Sequence, residues 1–375
     1  MTEQKTSRFV ALDVFRGMTV AFMIIVNTPG NYTKVFAPFD HASWHGFTAA
    51  DLVFPSFLFV VGAAISFVMK KWNTQPTGKV VWKIVKRSII IFVLGYILMY
   101  PYSIMMKPAV HGIFPAFSQT RIMGVLQRIA VAYGIVSLMF YYLKPRTIAW
   151  ASVAILILYW PVLVFWGSSP DPLTMQTNAV LKLDMWLLGA GHLWVGDGFP
   201  FDPEGILSTI PALVTVISGV FVGKYVQSNG RTYEGLAKLF MVGLVCFIIA
   251  YFWDFAFPIN KKLWTSSFVL HTTGLNCMLL ALIIYVLDFR GINFGVHFFQ
   301  VFGRNPLFLY MLSMFAALLL MMIPFQGTNL QGWIYENIFA HAGEVFGSFL
   351  YAVVFMLLNW LVGYVLDRRK IYIKV

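Results

Sequence analysis

Ten apolar blocks of about 20 residues constrain this chain more than any other feature, because a helix of that length crosses the hydrocarbon core of a bilayer. They fall at residues 11–26, 52–69, 88–100, 125–143, 147–166, 207–226, 239–257, 268–287, 307–323 and 345–366. The third is short as written and draws in Val85 or Tyr102; the ninth can begin near Phe298. Lipid offers no partner to a peptide group, so such blocks must close their hydrogen bonds internally, as helices. Only 11% of the residues are charged and 59% are hydrophobic, against roughly 25% charged in a soluble domain. The expected fold is an all-α integral membrane protein, a polytopic bundle of about ten transmembrane helices forming one domain over 1–375, with the lipid bilayer as its first partner.

Charge sets the expected orientation. With the N terminus in the cytoplasm and the blocks alternating, 20 of the 27 basic residues fall on the inner side with five of the 15 acids. They include Lys5, Arg8, Arg16, the cluster Lys70, Lys71, Lys79, Lys83, Lys86 and Arg87, and Lys224, Arg368 and Lys374. This satisfies the positive-inside rule with both termini cytoplasmic. The net charge of +12 is then a topology signal and requires no nucleic acid. A bacterial inner (plasma) membrane suits this pattern, with the longer polar segments 28–50, 101–124, 167–206, 258–266 and 324–344 facing the periplasm or exterior. The longest inner connector, 70–87, reads as an interfacial amphipathic segment anchored by Trp72 and Trp82. The first block lacks a following small-residue cleavage site and reads as a retained helix. Cys246 and Cys277 sit inside apolar blocks and read as core residues. No internal repeat of the transporter kind is visible. The chain has no phosphate-binding Walker loop, no dinucleotide fingerprint, no HExxH and no paired-cysteine pattern, so no metal is expected.

The segment between the first two blocks holds the densest group of reactive residues, Asp40-His41-Ala42-Ser43-Trp44-His45-Gly46-Phe47-Thr48-Ala49-Ala50-Asp51. A histidine there exchanges protons near neutral pH, and the flanking helices can hold it against water. Trp44 offers a stacking face for a sugar, and Asp40 can orient its polar groups. Thr48 and Asp51 match the helix capping box with a shorter acid, and Asp51 sits favourably at the positive end of the helix dipole. As cap or as site residue, Asp51 can hold the His41 loop in place.

Other candidates lie at the ends of the blocks. The Asn27 amide can donate to a developing oxyanion or cap the following Pro-Gly turn. Asp13 and Arg16, three apart, can pair with each other, or Arg16 can meet a phosphate-bearing cytoplasmic ligand. Arg128, beside Gln127, falls within the apolar region, where a charge costs ~2.5–3.5 kcal/mol and so faces a partner or a cavity. Asp202 and Glu204, with Trp194, Phe199 and Phe201, suit a carbohydrate or amino-sugar acceptor, or an ordinary solvated loop. His271 reads as a hydrogen-bonded residue inside the membrane. Asn305, ahead of Pro306, can cap a helix or line a cofactor path.

Five of these stretches, kept in order, resemble the heparan-α-glucosaminide N-acetyltransferase family, in particular its compact prokaryotic members. They are Leu12-Asp13-Val14-Phe15-Arg16-Gly17, Val26-Asn27, the block from His41 to Pro55, Val125-Leu126-Gln127-Arg128, and Phe201-Asp202-Pro203-Glu204-Gly205-Ile206-Leu207. Weaker likeness occurs around Lys262-Leu263-Trp264-Thr265-Ser266 and Asn305. The resemblance implies transfer of an acetyl group from cytosolic acetyl-CoA to a glucosamine amine across the membrane, with His41 as the catalytic histidine and Asn27 as its companion. The lysosomal member has Asn where this chain has His45, which bears on the choice of acceptor.

Elementary chemistry agrees with that implication. An amine attacks a thioester only when neutral, and His41 can take its proton or carry the acetyl group itself. Asn27 can stabilise the oxyanion by roughly 3 kcal/mol. The candidate acetyl-CoA set is Arg16, Gln127, Arg128 and Asn305; the candidate acceptor set is Asp40, Trp44, Asp51, Asp202 and Glu204. A homodimer suits a bundle of this kind. Two other classes compete: an O-acyltransferase of envelope glycans, which amine-blocked sugars would reveal, and a secondary transporter for amino sugars, which counterflow of unmodified solute would reveal.

Overall fold

The computed structural model describes residues 9–72, 74–106 and 117–373. Lys5, Arg8, Lys374 and the middle of the 101–124 segment lie outside them. The helices are α1 (Val10–Asn27), α2 (Ala49–Trp72), α3 (Thr77–Met106), α4 (Val125–Tyr142), α5 (Pro145–Trp166), α6 (Ala179–Leu187), α7 (Ile206–Asn229), α8 (Tyr233–Asp254), α9 (Ser266–Ile284), α10 (Val296–Arg304), α11 (Pro306–Met322), α12 (Leu330–Ile334) and α13 (Glu344–Arg368). Among the described residues, eight helices are long and apolar enough to cross a membrane, or nine if the bent pair α10–α11 counts as one span. The third expected block lies inside the 30-residue α3. Strand structure among the described residues is one hairpin, Pro324–Phe325 with Thr328–Asn329. Its turn residues Gln326 and Gly327 have φ of 44° and 85°, the left-handed pair that matches the twist of two short strands.

Without a hydrophobic force between helices in lipid, close backbone packing is what joins them, and small residues permit it. The centre of the bundle shows this. A Cβ on Gly62 of α2 would lie 1.9 Å from the Val216 carbonyl oxygen of α7, and one on Gly219 of α7 would lie 1.9 Å from the Phe59 oxygen of α2. The same device joins α1 to α10, where a Cβ on Gly303 would lie 2.1 Å from the Asp13 carbonyl oxygen, and joins α8 to α9 through Gly243 and Gly274. On the outside, α5 and α8 leave Trp150, Leu158, Phe165, Phe240 and Phe252 exposed, an apolar band suited to lipid.

Two sequence expectations change in detail. The 70–87 connector is not a separate amphipathic segment. Instead α2 runs on to Trp72 and α3 begins at Thr77. Trp72 is buried edge-on against Tyr141, while Trp82 is exposed. Near Phe298 the chain is helical, but α10 and α11 meet at 83°. Pro306 cannot donate to the preceding turn and pushes Asn305 out of the helical region, to φ −128° and ψ 49°.

Gly219→Val should lower the thermal stability of the detergent-solubilised protein by about 3 kcal/mol, since the backbones of α2 and α7 must part. Gly78→Ala, where nothing lies within 4 Å of the added carbon, should leave it unchanged. Thermal unfolding of the two variants tests the glycine contact.

Candidate active site

Asp51 is the third residue of α2, and its carboxylate reaches back to accept from the Thr48 backbone N–H at 3.1 Å. That is the acid's half of the capping box. The same oxygen accepts from the Ala42 N–H at 3.1 Å and the Thr48 hydroxyl at 3.2 Å. The other oxygen faces His41 Nδ1 at 2.8 Å. Asp51 is therefore both cap and tether: it stands buried behind the histidine, with its acceptor capacity taken by protein. With Asp51 ionised, Nδ1 carries the proton and Nε2 keeps the lone pair.

His41 does not stand alone with Asp51. Lys261 Nζ lies 3.0 Å from its Nδ1, 3.3 Å from its Nε2 and 3.4 Å from Asp51 Oδ1. Loss of water around the ring, and then the Lys261 ammonium, push His41 below its usual range, against the pull of Asp51 and Asp40. Yet 41% of the His41 side chain stays accessible, so a reactant can reach it.

Several loops converge to hold this group. Gly46, at φ 110°, donates its N–H to the Ile259 carbonyl at 2.8 Å, tying the histidine loop to the Lys261 loop. A side chain there would have to enter a conformation that L-residues avoid. Trp44 donates Nε1–H to the Leu173 carbonyl at 2.9 Å and meets Phe201 edge-on at 5.5 Å. Asp40 is exposed, and its carbonyl accepts from Thr48 Oγ1 at 2.7 Å.

Behind this face lies a second buried ionic group. Arg121 donates Nε–H to Asp202 at 2.8 Å and Nη2–H to Asp202 at 2.6 Å, and pairs with Glu204. Its guanidinium rests 4.9 Å above the Trp194 ring. Burial raises the Asp202 carboxyl despite Arg121. For Glu204 burial acts the same way, but the Arg121 and Arg128 cations overcome it and hold the group low. Asp202 and Glu204 are thus enclosed. Arg128 is fully buried and donates from Nη2 to the carbonyls of Pro203 at 3.0 Å and Gly205 at 3.3 Å and to Ser208. It covers the Trp264 ring at 4.8 Å, and Trp264 itself has φ 53°, a strained value for a bulky residue.

The remaining candidates are spread along the bundle. Asn27 ends α1, where its carbonyl accepts from Tyr32 Oη at 3.1 Å; no hydrogen bond joins it to His41 among the described residues. Arg16 sits about 16 Å back along the same helix, paired with Asp13 at 2.5 Å and donating to the Gly303 carbonyl at 2.7 Å. It lines a cleft of about 260 Å³ with Phe9, Leu12, Val60 and Phe67. Asn305 clamps the segment after α13, donating to the Ile371 carbonyl at 3.0 Å and accepting from Ile373 N–H at 2.8 Å. A larger cleft of about 390 Å³ at the same end is lined by Lys70, Trp72, Lys224 and Gln227. Phe47 and Phe247 flank the His271 ring at 4.5 and 4.7 Å, and its buried Nδ1 meets no hydrogen-bond partner among the described residues.

Sequence reasoning passed over Lys261, which touches His41 and Asp51, and Arg121, which holds Asp202 and Glu204 together. The available signal was charge against context: both are basic residues in segments that the charge pattern assigns to the outer side, where acids predominate.

A family model described as "Domain of unknown function (DUF5009)" matches residues 8–171. Curated relatives extend the likeness further. The chain is 27% identical to the mouse heparan-alpha-glucosaminide N-acetyltransferase and 26% identical to the human protein of the same name, in each case over 98% of this chain. It spans about three fifths of their lengths, 61% and 60%.

Arg121→Gln should cost about 3–5 kcal/mol, because it removes the cation that pairs directly with both buried carboxylates. Thermal unfolding of the variant, with Arg121→Lys recovering part of the loss, checks the assignment.

Proposed function

We propose that this chain is a transmembrane acetyltransferase that moves the acetyl group of cytoplasmic acetyl-CoA to the amine of a glucosamine or terminal glucosaminide at the outer face. The observation that carries this reading is the His41–Asp51 hydrogen bond of 2.8 Å at the accessible mouth of an apolar bundle. The likeness to N-acetyltransferases along nearly the whole chain supports it.

In this reading the Nε2 lone pair of His41 takes the proton of the attacking ammonium or, by a two-step path, itself receives the acetyl group. Asp51 holds the productive tautomer and stabilises the imidazolium that forms. Asn27, at the outer end of α1, donates its amide to the oxyanion. One observation and one chemical fact favour a bound pantetheine arm within the bundle. The buried Nε and Nη1 of Arg128 and Nε2 of Gln127 meet no protein acceptor among the described residues, and an amide-rich arm supplies carbonyl oxygens. Arg16 and Asn305 stand at the far end, suited to the charged part of the donor. The whole of 1–375 acts as one domain, with both termini in the cytoplasm of a bacterial inner membrane and the acceptor site facing out. On the acceptor side, Trp44 and Asp40 flank the histidine, while Asp202 and Glu204 act from behind through Arg121. A homodimer is part of the proposal.

The pH dependence follows from the environment of His41. Its acid form is disfavoured, so the base persists as pH falls below the usual 6.5 and activity fails only below that. In a radiolabelled acetyl-CoA assay with glucosamine, His41→Ala should abolish transfer. Asp51→Asn should lower kcat between about 10²- and 10⁴-fold and move the acid limb of kcat/KM further down, since it removes an anion that favours the imidazolium. Undiminished transfer by His41→Ala would exclude the mechanism. Binding of acetyl-CoA without transfer would point to another acceptor.

A further inference from the structure

In the proposed reaction the acceptor amine must lie within hydrogen-bond reach of the imidazole, about 2.6–3.2 Å. The chain already holds an amine within about 0.1 Å of that reach from Nε2, the nitrogen that keeps the lone pair. Lys261 Nζ stands 3.0 and 3.3 Å from the two ring nitrogens of His41. Its placement is built rather than incidental. Asn260 Oδ1 accepts from the Leu263 N–H at 2.8 Å, the Lys261 carbonyl accepts from Trp264 N–H at 3.1 Å, and Thr265 Oγ1 donates to the Pro258 carbonyl at 3.0 Å. Burial favours the neutral, nucleophilic form of Lys261, against Asp51 and Glu204, which favour the ammonium. The next residue has the same chemistry and different surroundings: Lys262 Nζ pairs with Asp197 at 2.6 Å.

We propose that Lys261 is a self-acetylation site: when no acceptor sugar is present, its Nζ receives the acetyl group, and the resulting amide closes the site. The inference rests on acetyl-CoA being the donor, as proposed above. The Nζ lone pair forms the new C–N bond as the thioester C–S bond breaks. The amine proton passes to His41 and from there to the CoA thiolate, so the products are acetyl-lysine and free CoA. By the two-step path, the bond broken at the lysine is instead the one from acetyl to His41. An acceptor sugar competes for the same imidazole and protects Lys261. Once acetylated, the lysine no longer presents a cation to His41 and Asp51, and the amide fills the position the sugar amine needs.

The test incubates the full chain in detergent with acetyl-CoA, with and without glucosamine, and follows acetylation of Lys261 and Lys262 by peptide mass spectrometry with fragmentation. Lys261 should be modified at least about 100-fold faster than Lys262, the scale of general-base assistance, and glucosamine should suppress the modification. His41→Ala should abolish the difference; the protection arm needs only the natural chain and stands whether or not that variant folds. In the arm without sugar, an unmodified Lys261, or one modified no faster than Lys262, overturns the inference. If glucosamine is acetylated in the other arm while Lys261 stays unmodified in the arm without it, the inference alone falls and the proposed function stands. No acetyl on either sugar or lysine overturns both. Acetyl on Lys261 but not on the sugar supports the inference and moves the acceptor to another class.

Discussion

The Asp51 carboxylate is the contact on which the rest of the site depends. A helix start leaves backbone N–H groups without partners, and an acid at its third position answers one of them while meeting the positive end of the dipole. Here that local device is extended outward. The oxygens that cap α2 also hold Ala42 N–H, the Thr48 hydroxyl and His41, so the start of a membrane helix and the orientation of a reactive imidazole are set by one side chain. Removing it would loosen both together.

A second constraint comes from the cost of burying charge. Arg121, Asp202, Glu204 and Arg128 are all buried, and each is tolerable only because the others are present. The group pins the 202–205 turn beneath the histidine face and sets where α7 begins. Lys261 lies between the two layers, touching His41 and Asp51 directly and feeling Glu204 at longer range. Electrostatics thus link the accessible imidazole to the enclosed ion group, although no hydrogen bond joins them among the described residues.

Much of this was legible in the chain. Blocks of membrane length led to helices because lipid leaves the backbone no alternative. The Thr48–Asp51 spacing led to a helix start and a tethered loop. Arg128, an isolated charge in an apolar block, led to a buried residue with protein partners. Other features were not legible. Asp202 and Glu204 read equally as solvated loop acids until Arg121 was seen between them, 81 and 83 residues away in sequence. The bend at Asn305 and the merging of 70–87 into two helix ends depend on how helices pack, which period and composition do not report.

What the sequence determined by itself was the class of structure and the candidate site. Apolar length forces helices, charge bias gives an expected orientation, and the candidate reactive residues cluster in one short segment. Only the tertiary structure decided which groups act on His41. Lys261 is 220 positions from it in the chain and arrives through the turn between α8 and α9, a placement set by the glycine contacts of α9 with α8 and by the Gly46–Ile259 hydrogen bond. Contacts of that range are made by packing between helices, and no local pattern of residues encodes them.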